Sequence, residues 1–444
     1  MKFSLVGFFF VAFSAIASWV HLRPTFSQET AIEKPAEINQ LVEGNSAFAL
    51  DLYDRLRQEK ANENLFFSPY SISTALAMTY GGARGETELE MARVLHFSLD
   101  RNSLHASFAQ LIAAVETPPT PANHFRDRQD PFYQLSTANR LWGQQGESFE
   151  PQFLNLLEQY YDSGLETVDF IGDTVACRHQ INAWVAQQTQ DKIQDLIGKD
   201  ILNEQTRFVL TNAIYFQGDW LVPFDPERTQ NETFTTASGA EIEVPMMYQK
   251  DYFDYTQVEG WQVLELPYRG ETLSMVVLLP DTTEDLETLE QRFTPERLQE
   301  WLSSVTSPVK FDELVQIQVW LPKFKVTSEF ELNQILSMMG MPSAFGDRSD
   351  FSGINGQNDL FLTHVIHKAF VEVNETGTEA AAATAIGASR GSPPSIEFRA
   401  NRPFVFLIRH RDSGTILFLG RVVNPLESSS EPIDTPAESL RERN

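Results

Sequence analysis

The chain has 444 residues, 42% of them hydrophobic and 21% charged, a globular balance that provides a sizeable core and excludes disorder as a description of the whole. Lys and Arg total 34 against 61 Asp and Glu, a net charge of −27; such a surface repels phosphate and argues against nucleic acid or anionic membranes as partners. The single cysteine, Cys177, excludes an intramolecular disulfide, a Cys-rich zinc site and an iron–sulfur cluster.

In chain order, Lys2 precedes an apolar run over 3–20, and Ala15-Ile16-Ala17 offers a small-x-small cleavage site. Residues 1–18 therefore read as a signal peptide, cleaved or kept as an anchor, and the chain is expected to be exported, to the extracellular space or a periplasm. Residues 19–44, with Pro24 and Pro35, read as a flexible leader. From Asn45, the residues Phe48, Leu52, Tyr53 and Leu56 recur at three- and four-residue spacing, which predicts a helix with Ser46 as its cap. Ile72, Leu76 and Met78 predict further helices over 70–95, broken at Gly81-Gly82, and the proline-rich stretch 117–131 reads as a surface loop. Another amphipathic helix is predicted between Asp173 and Leu196, carrying Ile181, Trp184, Val185 and Ile193.

Strand signals dominate the second half. Residues 263–266 and 273–279 flank Arg269-Gly270 as a hairpin, 315–321 alternate as a strand, and 404–408 with 416–423 pair around Asp412-Ser413-Gly414. Thr294-Pro295-Glu296 opens a helix, with Thr as cap and Pro in the first turn. Residues 426–444 read as a polar tail. Helices first and strands later predict an α+β fold with large, mostly antiparallel sheets.

One segment departs from its surroundings. Residues 375–394 (ETGTEAAAATAIGASRGSPP) link two strand-like runs through small side chains, and a connection of that length in a compact domain is usually functional. Read by twos, Thr378, Ala380, Ala382, Thr384, Ile386 and Ala388 make an uncharged face without bulk beyond Ile386. No proline interrupts 375–392, so every ladder donor is available. The segment suits both a loop and a buried central strand, with an Ala-rich linker or short helix as the plainer alternative.

Four separated motifs carry a family resemblance: 64–72 (NLFFSPYSI), 211–220 (TNAIYFQGDW), 398–408 with Asn401-Arg402-Pro403-Phe404, and 420–425 (GRVVNP). On these the chain resembles a serpin over 45–425. The resemblance implies the serpin fold, helices packed on large sheets with an exposed reactive-centre loop, and suicide-substrate inhibition of a serine protease. The protease forms an acyl-enzyme with the loop, which then inserts into the main sheet and traps it. The chain itself supplies no catalytic residue. A hinge of Glu375, Gly377, Thr378, Glu379, Ala380, Ala381, Ala382 and Ala383 is implied, with a polar cluster of Ser71, Asn212 and His367 beneath the opening sheet. Lys323, Glu375 and Trp220 would meet at its top. Insertion of about a dozen residues makes ladder bonds on both edges at roughly 1 kcal/mol each.

Family spacing from Glu375 places the attacked residue at Gly391, but Arg390 offers a charged side chain that an acidic pocket would hold. The expected reactive bond is therefore Arg390–Gly391 and the expected target a trypsin-like protease, although the loop is one residue short of the family's spacing. An elastase- or subtilisin-like enzyme cutting among Ala388, Ser389 and Gly391 is the alternative, as is a non-inhibitory binding or carrier protein on the same scaffold. The expected partner is thus a serine protease held in a covalent acyl complex with a monomeric inhibitor. No cofactor or metal is expected, because the resemblance implies a strand that places His364 and His367 on opposite faces, and no third ligand is evident. The resemblance places the family's heparin-binding helix near 102–117, where this sequence contains no Lys or Arg, which argues against a heparin-type polyanion. Cys177 reads as an inert packed thiol, and Asn231-Glu232-Thr233 and Asn374-Glu375-Thr376 match the glycan acceptor pattern.

Overall fold

Residues 35–117, 132–281, 286–305, 315–378 and 395–428 are described by the computed structural model. The expected signal peptide, most of the loop over 117–131, hinge residues 379–383, and Arg390 with Gly391 lie outside the described residues. The first helix runs from Ala36 to Glu59, nine residues ahead of the start predicted at Asn45. Ile38, Leu41, Val42 and Asn45 are buried and extend the same apolar stripe upstream. Ser46 is therefore inside the helix, where its hydroxyl donates to the Val42 carbonyl at 2.9 Å and caps nothing.

The helix Pro69–Tyr80 follows from a Ser68 cap, whose Oγ accepts from Ser71 N, and from Pro69 in the first turn. Every residue of this helix is buried, so it serves as a core rod behind the sheets. The helix predicted between Asp173 and Leu196 ends earlier, at Gln188. Ile193, Leu196 and Ile197 still pack down, but from an irregular strap in which Gln190, Asp191, Asp195 and Asp200 adopt positive φ.

Three sheets are formed by the described residues. The main sheet has six strands in the spatial order Phe324–Glu331, His364–Val373, Gly377–Thr378, Phe208–Asp219, Tyr133–Gln144 and Leu165–Val168. A second six-stranded sheet contains the expected hairpin, Trp261–Pro267 with Leu273–Pro280, and the expected final pair, Phe404–His410 with Ile416–Val422. The four-stranded sheet is ordered Ser395–Arg399, Gln316–Pro322, Glu241–Asp251 and Gln230–Thr235. The larger core joins the first two helices to both six-stranded sheets. A smaller core lies where Ile181 and Val185 of the helix Thr174–Gln188 pack with the strap on Val209, Ala213, Tyr215, Ile366 and Phe370 of the main sheet. This is the expected α+β architecture.

Candidate functional site

Two neighbouring strands of the main sheet pair for only part of their length. His364–Val373 lies parallel to Phe208–Asp219 from His364↔Val209 to Phe370↔Tyr215. Above that point they part, and Gly377–Thr378 fills the space, with Thr378 opposite Val373 on one side and opposite Gly218 on the other. Gly377 faces Asp219 at φ +156°, and a Cβ there would stand 2.1 Å from the Gly218 carbonyl oxygen. Only glycine fits that approach. Thr378 is fully buried, and its hydroxyl lies 2.8 Å from the Tyr268 hydroxyl. Tyr268 stacks on Trp220 with ring centroids 4.7 Å apart and meets Phe216 edge-on at 5.0 Å. Burial pushes its phenol far above the usual range.

The turn leading into Gly377 is bound on every side. Trp220 N donates to the Thr376 carbonyl at 2.9 Å, Trp220 Nε1 to the Asn374 carbonyl at 3.0 Å, and Phe224 N to the Glu375 carbonyl at 2.8 Å. Glu375 receives Lys323 Nζ at 2.9 Å and the Thr229 hydroxyl at 2.8 Å. Partial burial raises the Glu375 carboxyl, but the hydrogen bonds from Lys323, its own backbone and Thr229, with the Lys323 charge, outweigh this and hold it below the ordinary value. Lys323 is 39% exposed, so the ion pair contributes on the order of 1 kcal/mol or less. The structure thus brings Trp220, Lys323 and Glu375 together beside the Gly377–Thr378 strand. Sequence reading missed Tyr268 and Thr229, which are distant in the chain; the only sequence signal for Tyr268 was an aromatic beside the Arg269-Gly270 turn.

Lower in the sheet, Phe330, His367, Asn212 and Asn139 are successive register partners across four strands. His367 Nε2 accepts from Ser68 N at 3.2 Å, which leaves Nδ1–H to donate to Asn212 Oδ1. Asn212 Nδ2 faces the Ser71 carbonyl at 2.9 Å, the Ser71 hydroxyl at 2.6 Å and Asn139 Oδ1. Complete burial lowers the His367 pKa to about 3 and keeps the ring neutral, as its accepting nitrogen requires. Ser71, Asn212 and His367 therefore form one network, joined by Asn139 and Ser68, which the sequence reading did not name. His364 faces elsewhere, with Nδ1 2.6 Å from Glu331 Oε1. Cys177 is buried, and burial pushes its thiol up. Asn231 is exposed on the edge strand Gln230–Thr235, whereas Asn374 holds the Thr376 amide and hydroxyl with its own Oδ1.

A family profile described as Serpin (serine protease inhibitor) matches residues 43–425. The leukocyte elastase inhibitor of Sus scrofa is 41% identical over 395 residues, covering 87% of this chain and 100% of the relative. The Homo sapiens protein of the same name is 40% identical over 396 residues with the same coverage. Among solved structures, uncleaved ovalbumin superposes with a TM-score of 0.77 at 31% identity, over 87% of this chain and 100% of that one. Human thyroxine-binding globulin superposes at 0.76 with 30% identity, over 88% and 100%. The relatives correct the expectation of export: the leukocyte elastase inhibitors align over their entire length, the family match begins only at residue 43, and the apolar N-terminal run has no counterpart in these proteins. With the profile spanning most of its length and relatives aligned end to end, the chain belongs to the serpin family of serine protease inhibitors.

Proposed function

We propose that this chain is a suicide-substrate inhibitor of an elastase-like serine protease, acting as a monomer through a domain spanning 45–425, with no cofactor, polyanion or catalytic residue of its own. One observation carries the reading: Gly377–Thr378 is already paired between the two strands that an inserting loop must separate. In the sequence, the residues after Thr378 keep the same alternation, with no charge and no bulk beyond Ile386 on the face that Thr378 heads. A protease serine attacks a loop carbonyl, its ester tethers the loop's N-terminal part, and insertion proceeds from Thr378 downward as ladder pairing propagates. The inserting strand replaces the seven parallel register pairs from His364 to Phe370 with pairing along both of its edges. Each added hydrogen bond is worth about 1 kcal/mol net. The row through His367 and Asn212 bridges the strands that part, so it resists premature opening.

The target class rests on the relatives' names and on Ala388, Ser389 and Gly391, which suit a shallow specificity pocket. Arg390 favours a second reading, attack by a trypsin-like enzyme at Arg390–Gly391. Incubation with elastase-, trypsin- and subtilisin-like enzymes tests both: a denaturant-resistant complex identifies the target, and the N-terminus of the released peptide identifies the bond. A cleaved chain that melts no higher than the intact one would refute insertion and favour a carrier.

A further inference from the structure

The strand Phe324–Glu331 is the edge of the main sheet: among the described strands of that sheet it pairs with His364–Val373 alone. An edge strand is a template for pairing with further chain. The Thr327 amide points away from the sheet and donates to the Ser428 carbonyl at 2.9 Å. By alternation the Lys325 and Glu329 amides point the same way, while Val326, Ser328 and Phe330 bond to His364–Val373. The acceptor comes from beyond Pro425, where the family match stops. Asn64 Oδ1 receives the Val423 and Asn424 amides at 2.8 and 3.1 Å and so anchors the chain as it leaves the core. Leu426 then lines the same cleft as Lys323 and Lys325. From Leu426 to Ser428 the chain therefore advances beside Lys325 to Thr327 in the same direction, and the Thr327–Ser428 bond has the placing of the first rung of a parallel ladder. The charges on this edge are turned to the neighbouring strand. Lys325 lies 3.9 Å from Glu372, Glu329 receives Lys368 at 2.9 Å, and Glu331 is hydrogen-bonded to His364. Charges of both signs, matched in this way, give the edge little power to repel a second strand.

We propose that residues 429–431, which lie outside the described residues, continue this pairing as a short added strand parallel to Phe324–Glu331, and that the segment closes the edge to a second copy of the chain. A parallel ladder that starts at Thr327–Ser428 next places the Ser430 amide on the Thr327 carbonyl and the Glu329 amide on the Ser430 carbonyl. The following donor is position 432, a proline without an amide hydrogen, so the strand ends there. Covalent continuity selects the occupant. Residues 429–431 follow directly on a residue already bonded to the edge and pay almost no loop-closure entropy, whereas a second copy loses its translational and rotational freedom. The proposal is independent of the inhibitor reading, because the strands that part on insertion meet on the other side of His364–Val373.

The test compares the full chain with Ser430→Pro, Ser429→Pro and a chain ending at Ser428, by residue-resolved amide exchange and by sedimentation over a range of concentrations. Ending the chain at Ser428 removes the acceptor of the Glu329 amide, whose exchange is expected to quicken at least about tenfold. Ser430→Pro deletes one rung and is expected to quicken it about fivefold, the equivalent of one hydrogen bond. The residue-429 amide faces away from the edge, so Ser429→Pro is expected to leave that exchange within about twofold of the parent. The shortened chain is expected to self-associate as its concentration rises, while the full chain stays monomeric. Exchange at Glu329 that shortening does not change, or that the two proline variants change equally, overturns the added strand. A shortened chain that remains as monomeric as the parent overturns its role in closing the edge.

Discussion

Thr378→Arg makes the strongest demand on the hinge. Thr378 has no solvent exposure, shares ladder pairing with Val373 and Gly218, and places its hydroxyl 2.8 Å from Tyr268. An arginine kept there would be a buried, unpaired charge, costing several kcal/mol even after relaxation. Leaving the sheet forfeits one side-chain hydrogen bond and the short ladder, at about 1 kcal/mol for each bond and roughly 2–3 kcal/mol in all. Expulsion is the cheaper outcome, so the variant is expected to fold with a modestly lowered melting temperature. On the proposed insertion its effect on inhibition is larger, because Thr378 would head the strand that zips inward after cleavage. Titration of an elastase-like protease, followed by denaturing electrophoresis, is expected to show a cleaved inhibitor in place of a trapped complex and a stoichiometry at least about tenfold above one. Undiminished one-to-one trapping would refute insertion from this end of the sheet.

Gly377→Ala would drive a Cβ to 2.1 Å from the Gly218 carbonyl oxygen; the hinge is expected to leave the sheet, seen as lost hydrogen-exchange protection at Thr378, and retained protection would contradict the packing argument. Tyr268→Phe removes only the hydroxyl partner of Thr378, worth about 1 kcal/mol, so exchange at Thr378 should quicken about fivefold with the rest of the main sheet unchanged. His367 is held neutral with a pKa of about 3 against an ordinary 6.5. Its unfolded form therefore takes up a proton that the folded form refuses, and stability present above about pH 6.5 is lost as pH falls toward 3. Between pH 7 and 5 this group accounts for about 2 kcal/mol; denaturant midpoints should fall more shallowly with pH in His367→Gln, and parallel slopes would exclude this histidine as the source. Arg390→Ala is expected to leave trapping of an elastase-like enzyme intact while removing any complex with trypsin; loss of both would move the target toward the trypsin-like class.

The chain's periodicities and turn residues determined much of the architecture by themselves. The Arg269-Gly270 hairpin, the closing strand pair and the Pro69–Tyr80 core helix depend on neighbours a few residues away, and local preference and tertiary packing agree there. The small-residue run after Glu375 also stood out locally, because side-chain size and alternation are properties of the chain alone. The first helix begins at Ala36 because Ile38, Leu41 and Val42 continue its buried stripe upstream, a continuation that Pro35 and the surrounding polar residues hid in the sequence. The helix predicted to reach Leu196 stopped at Gln188 because its last apolar residues pack from a strap bent through left-handed positions, which apolar spacing does not reveal. Only tertiary structure decided that Tyr268, 110 residues before Thr378, receives its hydroxyl, that Thr229 joins Lys323 on Glu375, and that Asn139 completes the row through Asn212 and His367. Those contacts are set by strand order and register, which bring distant segments to one spot and leave no periodicity in the sequence around them.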